Sequence, residues 1–198
     1  MNTVKLKGII RNIVYSHTIG NIEYYKAEII TKRKNGKEDI LNLRFKRHSC
    51  PCEENEEVTI LANARSYSSK KEDNTNKVEL YFFTYFDAPQ EIDEDETNSF
   101  EISGKICKLN PLYSDKNGRS IHFILANNLI LDNDKKINSY LPCVAFNKTA
   151  ELISALSVGD DITIKGECHS RYYKKNLDNG EYEMRIAHEL LVKEVTNG

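Results

Sequence analysis

Residues 140–175, YLPCVAFNKTAELISALSVGDDITIKGECHSRYYKK, decide the fold. The run Leu141–Phe146 is apolar and short enough to be a strand. Lys148–Leu156 gathers good helix formers, shows a short apolar face and stops near Gly159. Asp161-Ile162-Thr163-Ile164-Lys165-Gly166 then alternates with period two, as a half-buried strand does. Upstream lie two further strand patterns, ISGKICKL from Ile102 and RSIHFILANNL from Arg119. Downstream, Asn179-Gly180 marks a hairpin and YEMRIAHELLVKEV closes the segment. The second half therefore reads β-β-β-α-β-β.

The first half repeats this order. LKGIIRNIVYSHTIG from Leu6 matches ISGKICKLNPLYSDKNG from Ile102, sharing apolar-x-Gly-x-Ile and then Tyr-Ser-x-x-x-Gly. The next segments place Tyr25 opposite Phe123 and Phe45 opposite Phe146. Both halves then carry an alternating strand and a polar, Lys-rich stretch before the closing strand. Asn35-Gly36 and Asn179-Gly180 are expected to be type I′ turns. In the first half Arg47-His48-Ser49-Cys50-Pro51-Cys52-Glu53 occupies the helix position, and Pro51 predicts a loop there. Five strands with a helix between the third and fourth is the order of an OB-fold, a small, partly open barrel. The expected fold class is all-β: two tandem five-stranded OB barrels, the second with a short helix between strands three and four.

Charge marks the boundary. Of the 198 residues, 28 are Lys or Arg and 30 Asp or Glu, for a net charge of −2. Residues 1–90 carry 15 basic and 12 acidic side chains, and residues 100–198 carry 13 of each. Residues 91–99, EIDEDETNS, carry five acids and no base. Like charges repel and one isoleucine cannot offset ordering, so 91–99 is expected to be an acidic linker between domains 1–90 and 100–198. No apolar run reaches the roughly 18 residues of a membrane span, and the N-terminus lacks a signal-peptide core. Five cysteines are an odd number, which argues against a disulfide framework. A cytoplasmic protein is expected.

The second half carries Asn117-Gly118-Arg119, Phe123-x-Leu125-Ala126, Val144-x-Phe146-x-Lys148-x-Ala150-Glu151, Gly159-Asp160 and Ser170-Arg171-Tyr172-Tyr173. In these it resembles the bacterial single-stranded DNA-binding proteins, with similarity to primosomal replication protein N. The resemblance covers about 100–195 directly and 4–88 only through the repeat. It implies non-catalytic coating of unpaired DNA in replication, recombination or transfer. It also implies stacking by Tyr140, Phe146 and Tyr173, although the family often places Trp at two of these positions and this chain has none. Four barrels per particle are common in the family, which here implies a homodimer. The sequence ends at Lys193-Glu194-Val195-Thr196-Asn197-Gly198 without the family's acidic-aromatic tip, so recruitment through such a tip is not expected, and replication proteins stay open as partners.

A single strand exposes base faces and a charged backbone, so its binder needs rings among cations. In the second half Arg171, Tyr172, Tyr173, Lys174 and Lys175 meet this on one hairpin, with Tyr172 and Tyr173 on opposite faces. Lys148 follows Phe146, and Arg119 belongs to the same set. In the first half the candidates are Arg65, Tyr67, Lys70 and Lys71, then Arg44, Phe45 and Lys46. Lys32, Arg33 and Lys34 are expected to form a basic finger. Phe123 is expected in the core. Tyr81-Phe82-Phe83-Thr84-Tyr85-Phe86 is expected to be a closing strand with rings on both faces. RNA stays open as the second polymer, and an OB-fold interaction module of a replication, primosome or conjugation complex stays open as the other function. No P-loop, H-E-x-x-H or nucleophile elbow is present, so no catalysis is expected. His48, Cys50 and Cys52 offer three ligands without a fourth, and no metal or cofactor is expected. Asp160-Asp161 opens a strand, where acids are normally solvated.

Overall fold

A computed structural model describes residues 1–33, 35–47, 53–70, 76–84, 98–116, 118–130, 136–177 and 180–197. The strands of the first half are β1 (Asn2–Ile19), β2 (Ile22–Lys32), β3 (Glu38–Lys46), β4 (Glu57–Lys70) and β5 (Asn76–Thr84). Those of the second are β6 (Asn98–Leu109), β7 (Tyr113–Asp115), β8 (Gly118–Ile130), β9 (Lys136–Phe146), β10 (Asp161–Asn176) and β11 (Tyr182–Asn197), with α1 (Asn147–Ser154) between β9 and β10. β1 pairs with β2 and β4, and a parallel β3–β5 contact closes the first barrel. β6 pairs likewise with β8 and β10, and parallel β9–β11 closes the second. Both halves thus have the OB topology. The helix stands where the sequence places it, with Ala150 and Ile153 buried. Its counterpart in the first half, residues 48–52, lies outside the described residues, as do Glu91–Thr97 of the acidic stretch. Asn98 and Ser99, the last two residues of that stretch, form the start of β6, where they pair with Leu6 and Lys5.

Antiparallel pairing of β1 with β6 joins the barrels into one sheet. Val4 lies opposite Phe100, its own counterpart in the repeat, so a local twofold axis relates the halves. The side-chain bonds across this seam obey the same symmetry. Asn2 Oδ1 accepts from the Ala64 N–H at 2.8 Å, and Asn2 Nδ2 donates to Asn127 Oδ1 at 2.8 Å. Asn98 Oδ1 accepts from the Cys168 N–H at 2.8 Å, and Asn98 Nδ2 donates to Thr31 Oγ1 at 3.4 Å. The shared motif glycines have a steric cause. A Cβ on Gly8 would lie 2.3 Å from the Ile30 oxygen, and one on Gly104 would lie 2.5 Å from the Ala126 oxygen. Only glycine lets β1 and β6 approach both neighbours where each strand turns the barrel corner.

Strand register corrects the sequence alignment. Thr31 pairs with Asp39, and its counterpart Asn127 pairs with Ser139. Counting along β3 and β9 from there, Phe45 corresponds to Ala145, and Phe146 to Lys46. Likewise Phe123 corresponds to Ala27, and Tyr25 to Ile121. A shift of one residue moves a side chain to the opposite face of the sheet. Phe45 is therefore wholly buried, whereas Phe146 is half exposed. Each barrel holds one phenyl at this level, Phe45 with Ala27 or Phe123 with Ala145, so core volume is conserved by a swap. The turns differ too. Gly36 N–H donates to the Arg33 oxygen and Arg33 N–H to the Lys37 oxygen, a three-residue loop rather than a two-residue type I′ turn. In the second hairpin Leu177 N–H donates to the Glu181 oxygen and the N–H of Gly180, at φ 82°, to the Leu177 oxygen, while Asn179 lies outside the described residues.

The β4–β5 and β10–β11 hairpins each brace the opposite barrel. Tyr140 N–H donates to Ser66 Oγ at 2.7 Å, and Ile40 N–H donates to Ser170 Oγ at 3.0 Å. His188 donates from Nε2 to the Ile40 oxygen at 2.9 Å, which leaves Nδ1 to accept from Asn42 Nδ2 at 3.4 Å. That geometry needs a neutral imidazole. Burial pushes the His188 pKa below its ordinary 6.5, outweighing the Ile40 bond and nearby carboxylates. Unfolded His188 gains a proton near 6.5 and folded His188 only at lower pH, so stability falls as pH drops below about 6.5. We expect the melting temperature to fall between pH 7.5 and 5.5, and to fall less in His188→Gln. An equal slope in both proteins would remove His188 from the interface electrostatics. Burial also holds His169 below its ordinary value and supplies a remainder.

Candidate nucleic-acid interface

Alternation along β9 sorts its residues. Ser139, Leu141, Cys143 and Ala145 are buried inside the barrel, so Tyr140, Pro142, Val144 and Phe146 share the outer face. Tyr140 is 51% and Phe146 49% exposed. Six residues apart on one strand, the two rings stand about 20 Å from each other. Lys148 is exposed just beyond Phe146, on the first turn of α1. Arg119 is exposed next to Ser120, which pairs with Phe146, and forms an ion pair with Glu151. Gly118 makes this approach possible: its φ is 128°, and a Cβ there would lie 2.6 Å from Asn147 Oδ1.

The β10–β11 hairpin carries the second group. Arg171 lies 5.8 Å from the Tyr173 ring and 3.3 Å from Glu189. Tyr172 is exposed on the other face. Lys174 Nζ stands 4.5 Å from the Tyr182 ring, and Lys175 is half-buried. On the first barrel, the Arg44 guanidinium lies 4.1 Å from the Tyr81 ring and 5.9 Å from that of Tyr67, with Glu79 at 3.9 Å. Tyr67 is exposed, Lys46 is half-buried opposite Tyr24 on β2, and Lys32 is exposed at the end of β2.

Three expected contacts are overturned. Phe45 is a core residue and offers no face to a base. Arg65 is buried on the outer side of β4, its guanidinium 4.1 Å over the equally buried Phe83 ring. Arg33 is not part of a free basic finger. Its Nε and Nη2 donate to the two Asp39 oxygens at 2.5 Å, and Nη2 donates to the Ser170 oxygen at 3.3 Å. Asp39 also accepts from the Ser170 N–H at 2.6 Å. Burial raises the Asp39 pKa, but the bonds from Arg33 and Ser170 and the nearby His169 and Arg33 charges outweigh it and hold it below 3.8. Lys34, Lys71, the Lys70 side chain, Tyr85, Phe86 and the His48/Cys50/Cys52 set lie outside the described residues. The structure adds three exposed rings not named above as binding candidates, Tyr15, Tyr113 and Tyr182. Asp161 pairs with Lys105 at 2.6 Å and Asp160 accepts from the Ser157 N–H at 2.8 Å, so these acids hold the fold locally.

A family model described as the single-strand binding protein family matches residues 97–195, half of the chain. The chain belongs to the single-strand binding protein family. The match covers the second barrel from the eve of β6 nearly to the end of β11, the barrel that presents Tyr140, Phe146 and Tyr173. No curated protein matches the chain. The wild-type single-stranded DNA-binding protein of Thermus aquaticus superposes with a TM-score of 0.72 at 14% identity, covering 100% of this chain and 93% of that one. A deletion variant of the same protein gives 0.71 at 15% identity, covering 100% and 94%. At such identity the likeness shows the fold: both barrels and their joint arrangement, including the half that the family model leaves uncovered.

Proposed function

We propose that the protein binds single-stranded DNA without sequence specificity and without catalysis, stacking bases on outward rings and holding phosphates with nearby cations. The observation that carries this is the half exposure of Tyr140 and Phe146 on the outer face of β9, in the barrel the family model matches. Lys148 and the β10–β11 hairpin extend that surface, and Arg44 with Tyr67 and Tyr81 offers a second one on the first barrel. The first domain spans 1–90, and the second begins no later than Asn98, where β6 starts, with the acidic stretch before it. A homodimer would bring four barrels together. The protein would act in the cytoplasm on unpaired strands of replication, recombination or transfer.

Fluorescence anisotropy with labelled oligo-dT tests this. Affinity is expected to fall linearly on a log–log plot against salt, with a slope of about −0.7 per neutralised phosphate. A duplex of equal length should bind far more weakly, because its bases are already stacked on one another. Failure to bind oligo-dT at low salt would leave the interaction-module reading. Competition by oligo-U sets the preference between DNA and RNA.

A further inference from the structure

β11 is 16 residues long, yet from Tyr182 to Ala187 it pairs with β10 alone among the described residues. Its contact with β9 begins only at Leu190, so the edge before it is open. Ladder parity tells which backbone groups face that edge. Leu177 N–H donates to the Glu181 oxygen, and the same register continues as Lys175 with Glu183 and Tyr173 with Arg185. Bonded and non-bonded pairs alternate along an antiparallel ladder, so Glu183 and Arg185 spend their backbone groups on β10. Tyr182, Met184 and Ile186 turn theirs to the open edge. Tyr182 is 59% and Met184 51% exposed. The flanking Glu183 and Arg185 have opposite charges and lie 2.6 Å apart within the chain. An edge guarded against its own kind carries like charges or Pro, and this one carries neither.

We propose that this edge pairs with β11 of a second copy, antiparallel about a twofold axis at Met184. The proposal names a surface for the homodimer above and rests on that reading. The axis sets Met184 opposite its duplicate and Tyr182 opposite Ile186 of the partner subunit. All of these are edge-facing, so every facing pair exchanges both backbone bonds. It also sets Glu183 opposite Arg185 of the partner subunit, and Arg185 opposite the partner's Glu183. These are the non-bonded positions, where side chains lie closest and opposite charges stabilise. The neighbouring registers fail. Centring on Glu183 or Arg185 opposes like charges, centring on Tyr182 opposes Glu183 to Glu181, and centring on Ile186 opposes Glu183 to Glu189. Lys174 does not obstruct the contact. It lies on β10, so the two copies of it stand three strand spacings apart, about 14 Å, beyond the screening length of physiological salt.

Disulfide trapping in the full-length chain with Met184→Cys tests the register. Facing bonded residues have Cα atoms about 5.5 Å apart, within disulfide reach. Mild oxidation should join two copies, with peptide mass mapping placing the link between position 184 and its duplicate. Tyr182→Cys should give about a tenth of that link or less, because position 182 lies about 14 Å from its duplicate in this register. Cys107 is exposed, so wild type oxidised alongside reports links made without position 184. Sedimentation of charge variants separates pairing between copies from the pair inside one chain. Glu183→Arg and Arg185→Glu should each weaken self-association by about 3-fold or more, since two cross-strand pairs turn from attractive to repulsive. An equimolar mixture of the two should recover it, because basic then meets acidic only between unlike chains. A link at 184 no more abundant than that at 182, or a mixture no better associated than its components, overturns the proposal. If wild type is still a dimer in that case, the homodimer stands on another surface. A wild-type monomer without trapping removes both.

Discussion

Tyr140→Ala combined with Phe146→Ala will weaken oligo-dT binding by about tenfold or more and leave the unfolding transition near that of the wild type. Each stacked base contributes about 1–3 kcal/mol by alanine substitution. Tenfold corresponds to about 1.4 kcal/mol, so even one fully engaged ring suffices. Both rings stand half exposed on the outside of β9, and truncating them opens no cavity in the core. The Tyr140 contact with Ser66 uses the backbone N–H and survives the substitution. Phe45→Ala is the matched control. It removes a wholly buried ring and should cost about 3–5 kcal/mol of stability. Its affinity for DNA, measured while the protein is folded, should stay near the wild-type value. Isothermal titration and thermal melts on the three proteins check this. A loss under twofold in the β9 double variant would exclude those rings as platforms.

The contrast between Phe45 and Phe146 shows what was legible in the sequence. Strand order and the helix depend on local periodicity, and the spacing of Leu141, Ile153, Ile162 and Ile164 shows both without knowledge of partners. The face on which a side chain lies depends on parity along the strand. Across two diverged repeats, a one-residue misalignment reverses that parity. Phe45 and Phe146 look equivalent because both precede a basic residue within two positions, yet the register fixed by Thr31–Asp39 and Asn127–Ser139 sets them on opposite faces. Asn35-Gly36 likewise marked a reversal correctly, while loop length depended on the Arg33–Lys37 pairing around it.

Cations were the other point of failure, for an electrostatic reason. Arg33, Arg44, Arg65 and Lys174 look alike as members of basic stretches. What separates them is the distance to an acid or a ring supplied by a remote segment. Arg44 rests on Tyr81, Arg65 on Phe83 and Lys174 on Tyr182, and each ring comes from a later strand. Arg33 finds its acid only six residues away, but the site becomes a buried one because Ser170 of the other barrel closes over it. Basic composition therefore overstates the surface available to phosphates.

Arg33→Ala will cost about 3–5 kcal/mol of stability, because it strands a charged group that has no access to water. The Asp39 side chain is wholly buried, and Arg33 supplies two of its donors. The remaining donors, the Ser170 N–H at 2.6 Å and its hydroxyl at 3.4 Å, cannot offset the desolvation of a carboxylate. Asp39 should respond in the variant by taking up a proton at higher pH. In the wild type the pair stabilises the fold above the ordinary carboxyl pKa of 3.8, and that contribution is lost as pH falls through the lowered native value. In Arg33→Ala the acid-induced fall in melting temperature should begin at higher pH. Arg33→Ala with Asp39→Leu should regain part of the loss, since removing both charges costs less than removing one. Urea unfolding at neutral pH reads the first effect and melts across pH the second. If Arg33→Ala instead kept its stability and lost DNA affinity, Arg33 would belong to the phosphate-binding surface after all.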